Sequence, residues 1–207
     1  MKKLLLTLLC AVGVSTSFSQ TVNFGIKAGL NLSELTHIDQ ADYGSSLLTG
    51  FKAGGIVDIG FANFSIQPGI FYSTKGEKDT KEFMGFGPDG SNYLPSKLEL
   101  DYIEVPVNFL YNAKLLPAIS FNLGGGPYIA YGISETLKVN STISPNYSNF
   151  HHYPYRNPDF GINLVAGFTI KNIWLIDAGY GIGLLNLQTP DTMHNRVISF
   201  SLGYLFK

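Results

Sequence analysis

The stretch Val22-Asn23-Phe24-Gly25-Ile26-Lys27-Ala28-Gly29-Leu30-Asn31-Leu32 alternates without a break. Val22, Phe24, Ile26, Ala28, Leu30 and Leu32 occupy the even positions, and Asn23, Gly25, Lys27, Gly29 and Asn31 the odd ones. Successive side chains of a strand point to opposite faces, so this spacing predicts a strand with one apolar face and one polar or small face. Its length also matches the roughly 9–11 residues of a tilted strand that crosses a bilayer.

The same pattern recurs along the chain. A second strand over about Phe51 to Phe61 sets Phe51, Ala53, Val57, Ile59 and Phe61 against Lys52, Gly54, Asp58 and Gly60. A third begins after only Ala62-Asn63 and carries Phe64, Ile66, Pro68, Ile70 and Tyr72 on its apolar side. Pro68 lacks a ladder donor, which predicts a bulge there. The fourth, Leu98 to Tyr111, changes its apolar frame between Leu100 and Ile103, as a bulge near Tyr102 or a strand that starts above the membrane would require. Ile119 to Ile133, Phe160 to Ile170, Ile173 to Leu184 and Arg196 to Phe206 complete eight.

Connections between these segments alternate in length: long (33–50), short (62–63), long (75–97), medium (112–118), long (134–159), short (171–172) and medium (185–195). An up-and-down barrel inserted from one side has its short turns and both termini on the periplasmic side and its long loops outside. The expected fold is therefore an eight-stranded antiparallel transmembrane β-barrel over residues 20–207. Phe61, Phe64, Tyr111, Phe121, Phe168, Trp174, Tyr204 and Phe206 flank the short turns and the C-terminus in the apolar frame, as a periplasmic aromatic girdle would. The alternative is a water-soluble, lipocalin-like ligand binder whose apolar face points inward.

Residues 1–19 have the layout of a cleaved signal peptide: Lys2-Lys3, an apolar run from Leu4 to Val14, and Ser17-Phe18-Ser19 at the cleavage positions. Lipidation of Cys10 is disfavoured by Leu9, which stands where a small residue is wanted. Cys10 is the only cysteine, so a mature chain has no disulfide or thiolate site. Loss of Lys2 and Lys3 moves the formal charge from −1 to −3, too slight to imply nucleic acid as a partner. The 23 Gly, 15 Phe and 12 Tyr against 14% charged residues are a β-barrel composition.

Several segments resemble an outer-membrane β-barrel family common in Bacteroidota, the porin-family or PorT-like proteins. Phe24 to Ser33 resembles its first strand and Ser65 to Gly76 its third. Asp101-Tyr102-Ile103-Glu104-Val105-Pro106-Val107, Gly125-Gly126-Pro127-Tyr128 and Asn195 to Phe206 resemble later ones. The resemblance implies location in the cell outer membrane, outer-membrane lipid as surroundings, and the barrel-assembly machinery as a partner during insertion. It says little of activity, although PorT itself is implied in protein secretion. The final Lys207 departs from barrels that end on the aromatic.

An eight-stranded lumen is filled by side chains, so an open diffusion pore is not expected. Lys27, Lys52, Asp58, Glu104 and Asp177 fall in the inward frame and would form a mutually neutralising polar network, with a narrow proton or ion path as the alternative. In the longest loop Tyr147, Phe150, His151, His152, Tyr153, Tyr155 and Arg156 are the side chains favoured at recognition surfaces, so an extracellular ligand or a secretion partner is the expected contact. Adjacent histidines make a poor metal pair, and no nucleophile stands beside a base. The reading is a structural or binding barrel, not an enzyme, with no cofactor and no metal.

Overall fold

The computed structural model describes residues 20–37, 45–79, 96–139, 147–148, 158–185 and 193–206. The strands are β1 (Gln20–His37), β2 (Ser45–Phe61), β3 (Phe64–Asp79), β4 (Ser96–Leu116), β5 (Ile119–Val139), a two-residue β6 (Tyr147–Ser148), β7 (Pro158–Ile170), β8 (Trp174–Gly183) and β9 (Met193–Phe206). All pairings are antiparallel, and the pairings of β1 with β9 and of β4 with β5 close the ring. Eight strands make the barrel; β6 adds two residues to β5 at Thr136 and Leu137.

Apolar side chains face outward. Phe24 is 62% exposed and Leu202 63% exposed, and Ile26, Leu30, Phe109, Leu123, Leu164 and Phe200 are likewise bare. Polar side chains such as Asn31, Gln67, Asn108, Asn122 and Ser199 are buried inside. This overturns the lipocalin-like alternative, because a soluble barrel would hide those aliphatic and aromatic side chains instead.

Two details of the sequence reading are corrected and a third is resolved. Pro68 causes no bulge: β2 and β3 keep one register from Ile56↔Gly69 to Ile59↔Ile66, and Pro68 lies opposite Val107 on β4. For β4 the second of the two expected causes holds, a strand that starts above the membrane, and inward and outward residues alternate along it without a change of phase. Leu98, Leu100, Tyr102 and Glu104 all point inward, and the register shift opposite Asp101/Tyr102 leaves the extra residue on β5 between Gly132 and Ser134. The apolar frame changed because β4 climbs past the membrane, where its outward residues are Lys97, Glu99 and Asp101 and its inward ones are leucines. The connection expected over 112–118 shrinks to Pro117-Ala118, since β4 continues to Leu116.

The turns are chemically apt. Lys171 and Asn172 both have positive φ, 53° and 55°, and Ile173 N–H donates to Ile170 O at 3.1 Å. Two successive left-handed residues give the turn whose twist suits a hairpin, and asparagine tolerates that conformation.

Candidate functional site

The inward faces of the eight strands stack into layers. Nearest the short turns is an open vestibule of about 310 Å³ lined by residues that include Asn23, Asp58, Asn112 and Asn122. Above it Ile56, Phe71, Leu175 and Leu205 form a buried apolar cluster. Next comes an ionic layer around a cavity of only about 50 Å³. Toward the long-loop end Leu35, Leu98, Leu100, Tyr102, Tyr128 and Ala130 make a second apolar cluster.

Each residue of the expected lumen network lies inside, though they do not all meet. Lys27 Nζ pairs with Asp177 Oδ2 at 2.6 Å and donates to Gln67 Oε1 at 2.8 Å. Gln67 Nε2 in turn donates to Asp58 Oδ1 at 3.2 Å, so Asp58 joins the pair through an amide. Lys52 is held by a hydroxyl, donating to Ser199 Oγ at 3.1 Å, with its ammonium 5.8 Å from the centre of the Phe71 ring. Glu104 takes a partner the sequence reading missed: Lys75 Nζ, at 2.6 Å.

Lys75 also lies 3.8 Å from Asp159 Oδ2 and over the rings of Tyr128 and Tyr102, at 4.5 and 5.4 Å from their centres. Asp159 is 0% exposed, and its Oδ2 accepts from Tyr128 OH at 3.0 Å and Asn195 Nδ2 at 2.9 Å. Lys75 and Asp159 fall at the edges of the expected long connections 75–97 and 134–159, whereas the structure places them on β3 and β7. The signal that places them is the two-residue period carried past the expected strand ends, through Gln67, Gly69, Phe71, Ser73 to Lys75 and back from Asn163 and Gly161 to Asp159. Three lysines thus face four carboxylates, Asp58, Glu104, Asp159 and Asp177, and a paired, hydrogen-bonded set of this kind is the form in which charge tolerates burial.

Small residues make room for the large inward ones. A Cβ on Gly161 would lie 2.5 Å from the Tyr128 ring, and one on Gly54 would lie 2.8 Å from the Phe71 ring.

Glu135 stands apart, above the membrane on β5, opposite Leu100 and flanked by Ser134 and Thr136. It is 2% exposed, neither of its oxygens has a hydrogen-bond partner, and burial pushes its carboxyl up to about 7.

The eight short-turn aromatics all point outward. Phe64 meets Tyr111 at 5.2 Å between ring centres, Phe121 meets Phe168 at 5.4 Å, and Trp174 meets Tyr204 at 5.0 Å. Tyr204 touches Phe206 at 5.7 Å, and Phe61 pairs with Phe64 across the Ala62-Asn63 turn. Of the loop residues, Tyr147 contributes backbone to β6, while Phe150, His151, His152, Tyr153, Tyr155 and Arg156 lie outside the described residues, as does the segment 1–19. Among the described residues no three His, Cys, Asp or Glu gather in a way that would hold a metal ion.

Neisserial surface protein A is similar in fold at 12% identity, with a TM-score of 0.50 over 90% of this chain and 99% of that one. The attachment invasion locus protein Ail of Yersinia pestis aligns at 12% identity and a TM-score of 0.46, over 89% of this chain and 98% of that one. No curated protein matches the sequence. The profile of the outer membrane protein beta-barrel domain matches residues 18–188, most of the chain, and the protein therefore belongs to that family and resides in the outer membrane.

Proposed function

We propose that this outer-membrane barrel is sealed along its axis and serves a structural or binding role through its extracellular loops, without enzymatic activity. The observation that carries the reading is the lumen. Two apolar clusters bracket an ionic layer whose cavity of about 50 Å³ admits only a few waters, at roughly 10–15 Å³ each. The lysine–carboxylate pairs act as a plug that locks the strands, and the outward aromatics from Phe61 to Phe206 form the periplasmic girdle. Residues 1–19 are the export signal, and the barrel-assembly machinery inserts the mature chain. The tyrosine- and histidine-rich segment 146–156 is the recognition element, its ligand reached from outside the cell.

Two measurements test this. Liposomes carrying the folded protein should not swell in small sugars, whereas swelling above empty vesicles would overturn the sealed lumen. Deleting 146–156 should leave a heat-sensitive folded band on gels while abolishing whatever surface binding intact cells show; retained binding would remove that loop from the account. The segments resembling PorT-like proteins favour a secretion-associated role as the alternative. A secretion defect in a strain lacking the protein, restored by the loop-deleted form, would support it.

A further inference from the structure

We propose that the vestibule at the short-turn end is a binding site for an N-acetylated sugar on the periplasmic side. The inference is independent of what the long loops do. At about 310 Å³ the space is some six times larger than the central cavity and reaches the lower end of the range for small-ligand sites, about 300–1,000 Å³. Its walls are built from residues on rigid strands, and one turn of two residues and one of three frame its mouth.

The lining selects the ligand class. Asn112 Nδ2 donates to Ser65 Oγ at 3.1 Å and Asn122 Nδ2 donates to Thr169 Oγ1 at 2.7 Å. Each bond fixes the amide's orientation while leaving its carbonyl oxygen unused by that contact, so two acceptors are held in place before any ligand arrives. Asn23 adds a third amide from β1. Among the described residues Asp58 and Lys114 are the only charged side chains in the lining, one of each sign, which selects against phosphates and polyamines alike. Leu175 and Leu205 close the inner end with carbon. A neutral ligand with an apolar face, hydroxyls that both donate and accept, and an amide to pair with asparagines satisfies all of these together. An N-acetylhexosamine has those features, and the glycan of the cell wall supplies them in the compartment this mouth faces.

The floor is rigid as well. Gln67 lines both the vestibule and the central cavity, and the chain Asp58–Gln67–Lys27–Asp177 ties the site to the ionic layer.

The test uses the mature folded protein, residues 20–207, in lipid nanodiscs, titrated with N,N′-diacetylchitobiose and followed through the asparagine side-chain amide resonances. The proposal expects saturable shifts of the Asn112 and Asn122 amides and a loss of affinity of about tenfold or more in both Asn112→Leu and Asn122→Leu. Cellobiose, which lacks the acetamido group, should bind at least about tenfold more weakly. Asn23→Ala, at a half-exposed position, provides a third variant should either leucine substitution fail to give the heat-shifted folded band. Absence of saturable shifts, binding unchanged by every folding-competent substitution, equal binding of cellobiose, or tighter binding of trialanine than of the disaccharide would each overturn it.

Discussion

Replacing Lys75 by Met is the most severe test of the ionic layer. Lys75 is 3% exposed, its ammonium pairs with Glu104 at 2.6 Å, and it supplies part of the field that holds Asp159. Methionine keeps most of the volume and removes the charge. Asp159 retains Tyr128 and Asn195 as donors, so Glu104 becomes the uncompensated group. Breaking one side of a buried pair costs about 3–5 kcal/mol, and we expect Lys75→Met to fall in that range. Converting the orphan as well, in Lys75→Met/Glu104→Gln, should recover at least half of the loss, because removing both charges also removes the desolvation penalty. Guanidinium unfolding in phosphatidylcholine vesicles, read by the fluorescence of the sole tryptophan, Trp174, provides the assay. A single variant within about 1 kcal/mol of the parent would refute the reasoning, since that is the size of a solvent-exposed pair. A double variant no better than the single would refute it equally.

Two further predictions follow from the ends and the outer surface of the barrel. Glu135 has a carboxyl raised by burial from its ordinary 4.5 to about 7, so the folded protein binds its proton more tightly than the unfolded chain does. The stabilisation is therefore full below about pH 4.5 and is lost as pH rises from there through about 7. Glu135→Gln should flatten that part of the pH–stability curve, and a curve that keeps its slope would show that the carboxylate is not the titrating group. Leu30→Arg, on the lipid face at a side chain 57% exposed, should cost about 2–4 kcal/mol in the same unfolding assay; a negligible cost would mean that Leu30 does not face hydrocarbon.

The barrel was legible because its information is local. A two-residue period, short turns at every second connection and aromatics beside those turns each reflect one strand and its surroundings, so Val22 to Leu32 could be read without its neighbours. Lys27, Lys52, Asp58, Glu104 and Asp177 were legible as inward for the same reason. Their partners were not. Whether Glu104 meets Lys27 or Lys75 depends on the register between β3 and β4, and the periodicity of one strand carries no register. Lys75 and Asp159 were misassigned because strands that climb above the bilayer lose the apolar outer face that marks them, as Glu99 and Asp101 on β4 do. Pro68 misled through its missing donor, yet β2 and β3 hold their register on either side of it. The vestibule was out of reach, since Asn23 lies about ninety residues before Asn112 and Asn122, which face each other across the β4–β5 hairpin, and meets them only when the ring closes.

Single-channel recording in planar bilayers addresses the sealed lumen most directly. On the proposed sealing by the two apolar clusters and the paired Lys27–Asp177 and Lys75–Glu104 layer, purified, folded protein should insert without adding steady current in molar potassium chloride. Reproducible ohmic steps from the folded form, absent after heat unfolding, would contradict that account and make the ionic layer the lining of a conducting path.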